Sequence, residues 1–93
     1  MKIIIEAEAQ ETINDIAELI DGVNTPGAGE RWTDRILDFI ISYAQPQAKY
    51  ALCHNADLAA ELFSCITYNN WVIVFRMDKN AFKVCQIIHG SLL

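Results

Sequence analysis

The chain has 93 residues, enough for one domain with a modest core, and 53% of them are apolar, far more than a disordered chain carries. Seven basic residues against twelve acidic ones give a net charge of −5, which argues against a general nucleic-acid binder, whose affinity rests on Lys and Arg at phosphates. No apolar run approaches the roughly 18 to 20 residues that span a bilayer, and Met1-Lys2-Ile3-Ile4-Ile5-Glu6 turns acidic too soon for a signal peptide. A cytoplasmic protein that does not enter a membrane is the expectation.

Residues 2–6 read as a short strand carried by Ile3-Ile4-Ile5, with nothing in the sequence to name its partner strand. Over residues 7–21 the pattern turns helical, with Ile13, Ile16, Ala17 and Ile20 at spacings of three and four. Glu6, Glu8 and Glu11 suit the positive end of that helix, and Gly22 is expected to end it. Thr25 is placed to cap a second helix and Pro26 to take its first position. Gly27 and Gly29 weaken the opening turn, so firm helix is expected only from Ala28. Trp32, Ile36, Phe39, Ile40 and Tyr43 then form one apolar stripe, and Pro46 closes the helical region. Residues 49–54 suit a short extended piece, and residues 57–61 either a helical turn or a lead-in to the strand that follows.

Residues 62–89 read as three antiparallel strands, rich in β-branched and aromatic residues and broken at Asn69-Asn70 and at Asp78-Lys79-Asn80. If Tyr68 faces Trp71 and Met77 faces Phe82, one face collects Leu62, Ile66, Tyr68, Trp71, Ile73, Phe75, Met77, Phe82, Val84 and Ile88. That face is apolar and must be covered; the two helices, joined by a short loop, are its natural lid. The other face collects Phe63, Cys65, Thr67, Val72, Val74, Arg76, Lys83, Cys85, Ile87 and His89, and any chemistry the sheet offers belongs there. The reading is a single α+β domain over 1–93, in the order β-α-α-β-β-β, with a two-helix hairpin on one face of a small, mostly antiparallel sheet.

The three cysteines, Cys53, Cys65 and Cys85, have no metal-type spacing, and their odd number fits no disulfide framework. The register sets Cys65 and Cys85 two strand spacings apart, roughly 9 to 10 Å, too far for a bond that needs Cα atoms within about 7 Å. Free thiols are therefore expected, and with only His54 and His89 as companions no metal site and no cofactor is expected. Charge is uneven: residues 1–61 hold eleven of the twelve acids, whereas residues 62–93 hold Arg76, Lys79 and Lys83 against Asp78 alone.

The opening strand with its acidic helix, residues 24–36 (NTPGAGERWTDRI) and above all residues 68–90 (YNNWVIVFRMDKNAFKVCQIIHG) together resemble the RelE/ParE superfamily of bacterial type II toxins. The resemblance spans nearly the whole chain. It implies a toxin–antitoxin system, of the kind tied to plasmid stabilisation or translation repression, with a cognate antitoxin as partner. The target would be ribosome-bound mRNA on the RelE branch or DNA gyrase on the ParE branch. Several polar positions depart from the family pattern. The arginine expected before the first hairpin turn is Thr67, another expected early in that strand falls near Ser64, and Ser91-Leu92-Leu93 replaces the basic residues that usually follow His-Gly. Arg76 and His89 alone match at polar positions.

Those two residues are the catalytic candidates. Histidine is the side chain whose imidazole ordinarily changes charge near neutral pH, which suits His89 to a general base, and Arg76 with Lys83 suits phosphate stabilisation. Against this, a histidine at a strand end is more often structural, and Arg76 and Lys83 lie directly across from each other, repelling unless Asp78, Glu61 or a partner's carboxylate intervenes. Arg76, Lys83, Phe63, Thr67, Val72, Val74 and His89 are therefore read first as a binding surface. The apolar set Phe63, Val72, Val74 and Ile87 would be costly to expose and suggests a partner or a homodimer. Three functions follow: a toxin acting by binding a protein target and an antitoxin, a ribosome-dependent mRNA endonuclease, or a non-toxic relative kept as a binding module.

Overall fold

A computed structural model describes residues 1–93. The elements run β1 (Lys2–Ile5), α1 (Ala7–Val23), α2 (Ala28–Tyr43), α3 (Ala56–Ala60), β2 (Ser64–Tyr68), β3 (Trp71–Asp78) and β4 (Ala81–His89), followed by a single 3-10 turn over Gly90–Leu92. This is the expected α+β order, and α3 takes the helical of the two alternatives open at residues 57–61. The sheet order is β1-β4-β3-β2, and β1 runs parallel to β4 through Lys2↔Ala81 to Ile5↔Val84. β4 is thus interior, with β1 and β2 as the two edges.

The helices cover one side of the sheet. Ala9, Ile13 and Ile16 of α1 and Trp32, Ile36 and Ile40 of α2 form one buried cluster with Ile73, Phe75, Phe82, Val84 and Ile87, and Trp71, Ile66, Tyr68 and Met77 pack against it. Removing these side chains from water is the main driving force of the fold. Phe75 and Phe82 stack with ring centroids 4.4 Å apart, and Tyr43 and Tyr50 meet both rings edge-on.

The α1–α2 junction corrects the expected caps. α1 runs through Gly22 to Val23, and Thr25 and Pro26 form a turn in which the Ala28 amide donates to the Thr25 carbonyl. The N-cap of α2 is Gly27, whose φ of 89° a side chain rarely tolerates, and the cap is not closed by any side chain of its own. A carboxylate oxygen of Asp21, one helix away, instead accepts the Gly29 amide at 2.8 Å, placing negative charge at the α2 N-terminus.

Both hairpins have the expected register at their turns, Tyr68↔Trp71 and Met77↔Phe82. Asn69 takes a left-handed φ of 54° and Lys79 one of 56°, the conformation that lets a two-residue loop match strand twist. Regular alternation fails farther along β4. Phe75 pairs with Val84 but Val74 pairs with Gln86, so Cys85 is an extra residue, a β-bulge. From there Ile73 faces Ile87 and Val72 faces Ile88, not the expected Ile73–Gln86 pairing. Ile87 therefore joins the core and Ile88 moves to the reverse side. Leu62 also leaves the expected apolar face: it is 69% exposed, at a φ of 65°.

The cysteines depart most from expectation. Cys53 and Cys65 are disulfide-bonded, with Cα atoms 4.9 Å apart, and only Cys85 is free. Cys65 is thus not the free thiol expected: strand spacing keeps it from Cys85, but Cys53, whose position the register does not fix, reaches it. Residues 44–63 wrap the β2 edge. Tyr50 packs on the helix side, Leu52 bridges Ser64 at the edge, and Cys53 reaches Cys65, which alternates with Ile66 and so points to the reverse side.

Candidate functional site

The reverse side of the sheet carries the polar candidates. The strand pairing sets Phe63 beside Arg76 and Arg76 across from Lys83. The two cations are separated by the partners anticipated for them. The Arg76 guanidinium lies 4.4 Å from the centroid of the Phe63 ring and donates to the Glu61 carbonyl at 3.0 Å. Lys83 bonds a carboxylate oxygen of Asp78 at 2.8 Å. The Lys83 hydrogen bond and charge hold the Asp78 carboxyl below its usual range, and the same contact raises the Lys83 ammonium. Arg76 is exposed, with its position set by a ring and a carbonyl. Lys83 is already neutralised. Arg76 therefore keeps its positive charge without a carboxylate partner.

Beside Arg76 opens a groove of about 600 Å³, lined by Lys49, Tyr50, Leu52, Glu61, Leu62, Ser64, Arg76 and Met77 among others. Its walls come from the wrapped segment on one side and the sheet on the other. Tyr50 fixes the near end: its hydroxyl donates to the Tyr43 carbonyl and accepts the Gln45 amide, both at 2.9 Å. That groove lies at the β2 edge, and a second depression, of about 400 Å³, lies on the reverse side between His54, Asn55, Cys65, Thr67, Val72 and Leu93.

His89 does not join this site. It lies directly across from Trp71, at the far end of β3 from Arg76, and its ring meets the Trp71 indole edge-on at 5.1 Å. The bulge carries His89 off the face that regular alternation assigned to it, whereas its distance along the sheet from Arg76 follows from the hairpin register itself. Five residues of strand separate Trp71 from Arg76, roughly 17 Å at about 3.3 Å per residue. A single phosphate cannot be touched by both groups. His89 is also occupied. Its Nδ1 accepts the Ser91 amide at 3.2 Å and lies 2.7 Å from Ser91 Oγ, capping the 3-10 turn. An Nδ1 that accepts from an amide places the neutral ring's proton on Nε2. To act as a base, the ring would first have to surrender its cap.

The other members of the expected binding surface divide. Thr67 is exposed and Val72 half-buried, both at the second depression. Val74 is fully buried, across from Cys65, and offers no contact surface. Ile87 is buried in the helix-side core. The apolar patch that suggested a partner or a homodimer therefore shrinks to Phe63 and Val72, both half-buried, joined by Ile88. Cys85 at the bulge is buried, with Sγ 3.7 Å from a Glu6 carboxylate oxygen. Burial first and Glu6 second push its thiol up, which makes it a poor nucleophile.

The disulfide was missed because its partner segment lacks regular structure. The signal that could have found it is the short extended piece foreseen at residues 49–54. Paired antiparallel on β2, that piece brings Cys53 beside Cys65. No group of three His, Cys, Asp or Glu side chains comes together to hold a metal ion, and no helix is long and apolar enough to cross a membrane. Searched against known proteins, the sequence matches no family model and no curated protein.

Proposed function

We propose that this chain is a toxin-like protein of RelE/ParE type that acts by binding, with the reverse side of its sheet engaging a protein target and a cognate antitoxin. The observation that carries this reading over RNA cleavage is the separation of Arg76 from His89. A nuclease needs charge stabilisation and proton transfer at one phosphate. Here the arginine is stacked on Phe63 at one end of β3, while the histidine caps a turn at the other. An exposed guanidinium over an aromatic ring, beside a groove of mixed polar and apolar lining, supports this reading, because arginine is enriched among the residues that carry binding energy at protein interfaces.

Induced expression in a bacterial host tests the proposal. Growth arrest that is relieved by the protein encoded next door, weakened by Arg76→Ala and Phe63→Ala, and retained in His89→Ala is the expected pattern. A general base contributes about 10²- to 10⁴-fold to rate, so near-complete loss of message cleavage in His89→Ala would establish the nuclease instead. Unaffected growth would leave a non-toxic binding module.

A further inference from the structure

Residues 51–63 form a flap with very little holding it to the domain. None of the residues of α3 is buried, and Cys53 is the one buried residue of the flap. Asn55 caps α3 internally, its side-chain oxygen accepting the Asp57 and Leu58 amides, which organises the flap without attaching it. The Cys53 amide donates to the Phe63 carbonyl and closes the flap on itself, while attachment comes from the Leu52–Ser64 bridge, Arg76 on the Glu61 carbonyl and the Phe63 ring, and the disulfide. The same flap supplies Leu52, Glu61 and Leu62 to the Arg76 groove, while Ser64, Arg76 and Met77 come from the sheet.

We infer that the Cys53–Cys65 bond is a thiol-sensitive latch, and that its reduction frees the flap, dismantles the groove and releases Arg76 from the Glu61 carbonyl. The two sulfurs differ in access. Cys53 is 5% exposed, whereas Cys65 is half-buried and lines the depression shared with His54, Asn55 and Thr67. A small cellular thiol of the glutathione class enters there as its thiolate and attacks Cys65 Sγ. A mixed disulfide forms on Cys65, and Cys53 leaves as a thiolate that takes a proton from solvent. A second thiol attacks the small molecule's sulfur in that mixed disulfide, and Cys65 leaves and is protonated in turn. Two electrons and two protons have passed to the pair, and the reductant is recovered as its own disulfide. The buried anchor of the flap is then gone, and local opening of a segment with few buried contacts follows without loss of the core. Tyr50 stays in the aromatic cluster, so the opening begins after it. The latch rests on connectivity and burial alone and stands independently of the toxin-like reading.

The test uses the full chain, oxidised and then treated under native conditions with graded glutathione or dithiothreitol. Thiols are counted by maleimide mass tagging, and amide hydrogen exchange is followed along the chain. Expected are two additional reactive thiols, a glutathione adduct trapped on Cys65, and exchange across residues 51–63 at least about tenfold faster while β3 and β4 are unchanged. The Cys53→Ser/Cys65→Ser double variant should exchange fast without reductant and ignore its addition. If that variant does not fold, reduction of the wild-type chain decides alone. The latch is overturned if the bond yields only in denaturant, if its reduction leaves exchange in 51–63 unchanged, or if exchange rises equally throughout, which would make the bond a global staple.

Discussion

Asp78 and Lys83 meet at the entrance to the β3–β4 turn, where a left-handed Lys79 forces the chain back on itself. Their contact is at the surface, so its contribution is small, but its pH dependence has a definite sign. Asp78 is held below its usual 3.8, so the stability it lends is present above that value and lost as pH falls through the lowered folded value. Lys83 is raised above its usual 10.5, so its share is present below that value and lost as pH rises through the raised one. Asp78→Asn should therefore lower the melting temperature between about pH 4 and pH 10 and converge with the wild type outside that window. Thermal melts across pH check this. A difference between the two proteins that persists at pH 2 would refute the assignment. The need for a partner was readable because the turn places Arg76 opposite Lys83, but the sequence left Asp78, Glu61 and a partner's carboxylate as alternatives, and the structure gives Lys83 to Asp78.

At the scale of the element, β4 is where pattern and structure part. Alternation from the Phe82 turn assigns Ile88 to the core and Ile87 to the reverse side, whereas the bulge at Cys85 reverses both. No glycine or proline marks the position, and Cys, Gln and Ile suit either face, so nothing local signals the extra residue. The consequence is nonetheless measurable. Ile87 is 5% exposed within the core and Ile88 is only half-buried, so Ile87→Ala should cost about 2–4 kcal/mol and Ile88→Ala about 1 kcal/mol. Urea unfolding of the two variants separates the alternatives, and a larger loss at Ile88 would mean that the strand is unbulged. The same shift carried His89 off the face that regular alternation had it share with Arg76, without moving it farther along the sheet. The hairpin registers, by contrast, were legible because each is fixed within a few residues of its turn.

Across the whole molecule, what could be read was the lid over the sheet, since two amphipathic stripes and one apolar face leave few other ways to bury themselves. The parallel pairing of β1 with β4 could not be read, because an edge strand of three isoleucines carries no register signal. Nor could the closeness of the two helices, which turns on one residue. Gly29, in the first turn of α2, is buried against the α1 backbone, and a methyl group there would collide with the Ala17 carbonyl rather than with a movable side chain. Overpacking costs about 1–3 kcal/mol even where side chains can yield, and a backbone obstacle places Gly29→Ala at or beyond the top of that range. Shifting α2 outward would also stretch the Gly29 amide from Asp21 and lift Trp32 and Ile36 off the sheet. For a domain of this size each kcal/mol moves the melting temperature by roughly 4–8 °C, so a fall of about 12 °C or more is expected. Gly22 supplies the control. It lies in α1 with nothing within 4 Å of an added methyl group, so Gly22→Ala should gain the helix propensity that glycine lacks, about 1 kcal/mol, and raise the melting temperature. One chemical change at two glycines thus carries opposite signs, and equal shifts in the two variants would show that the helices do not approach each other at Gly29.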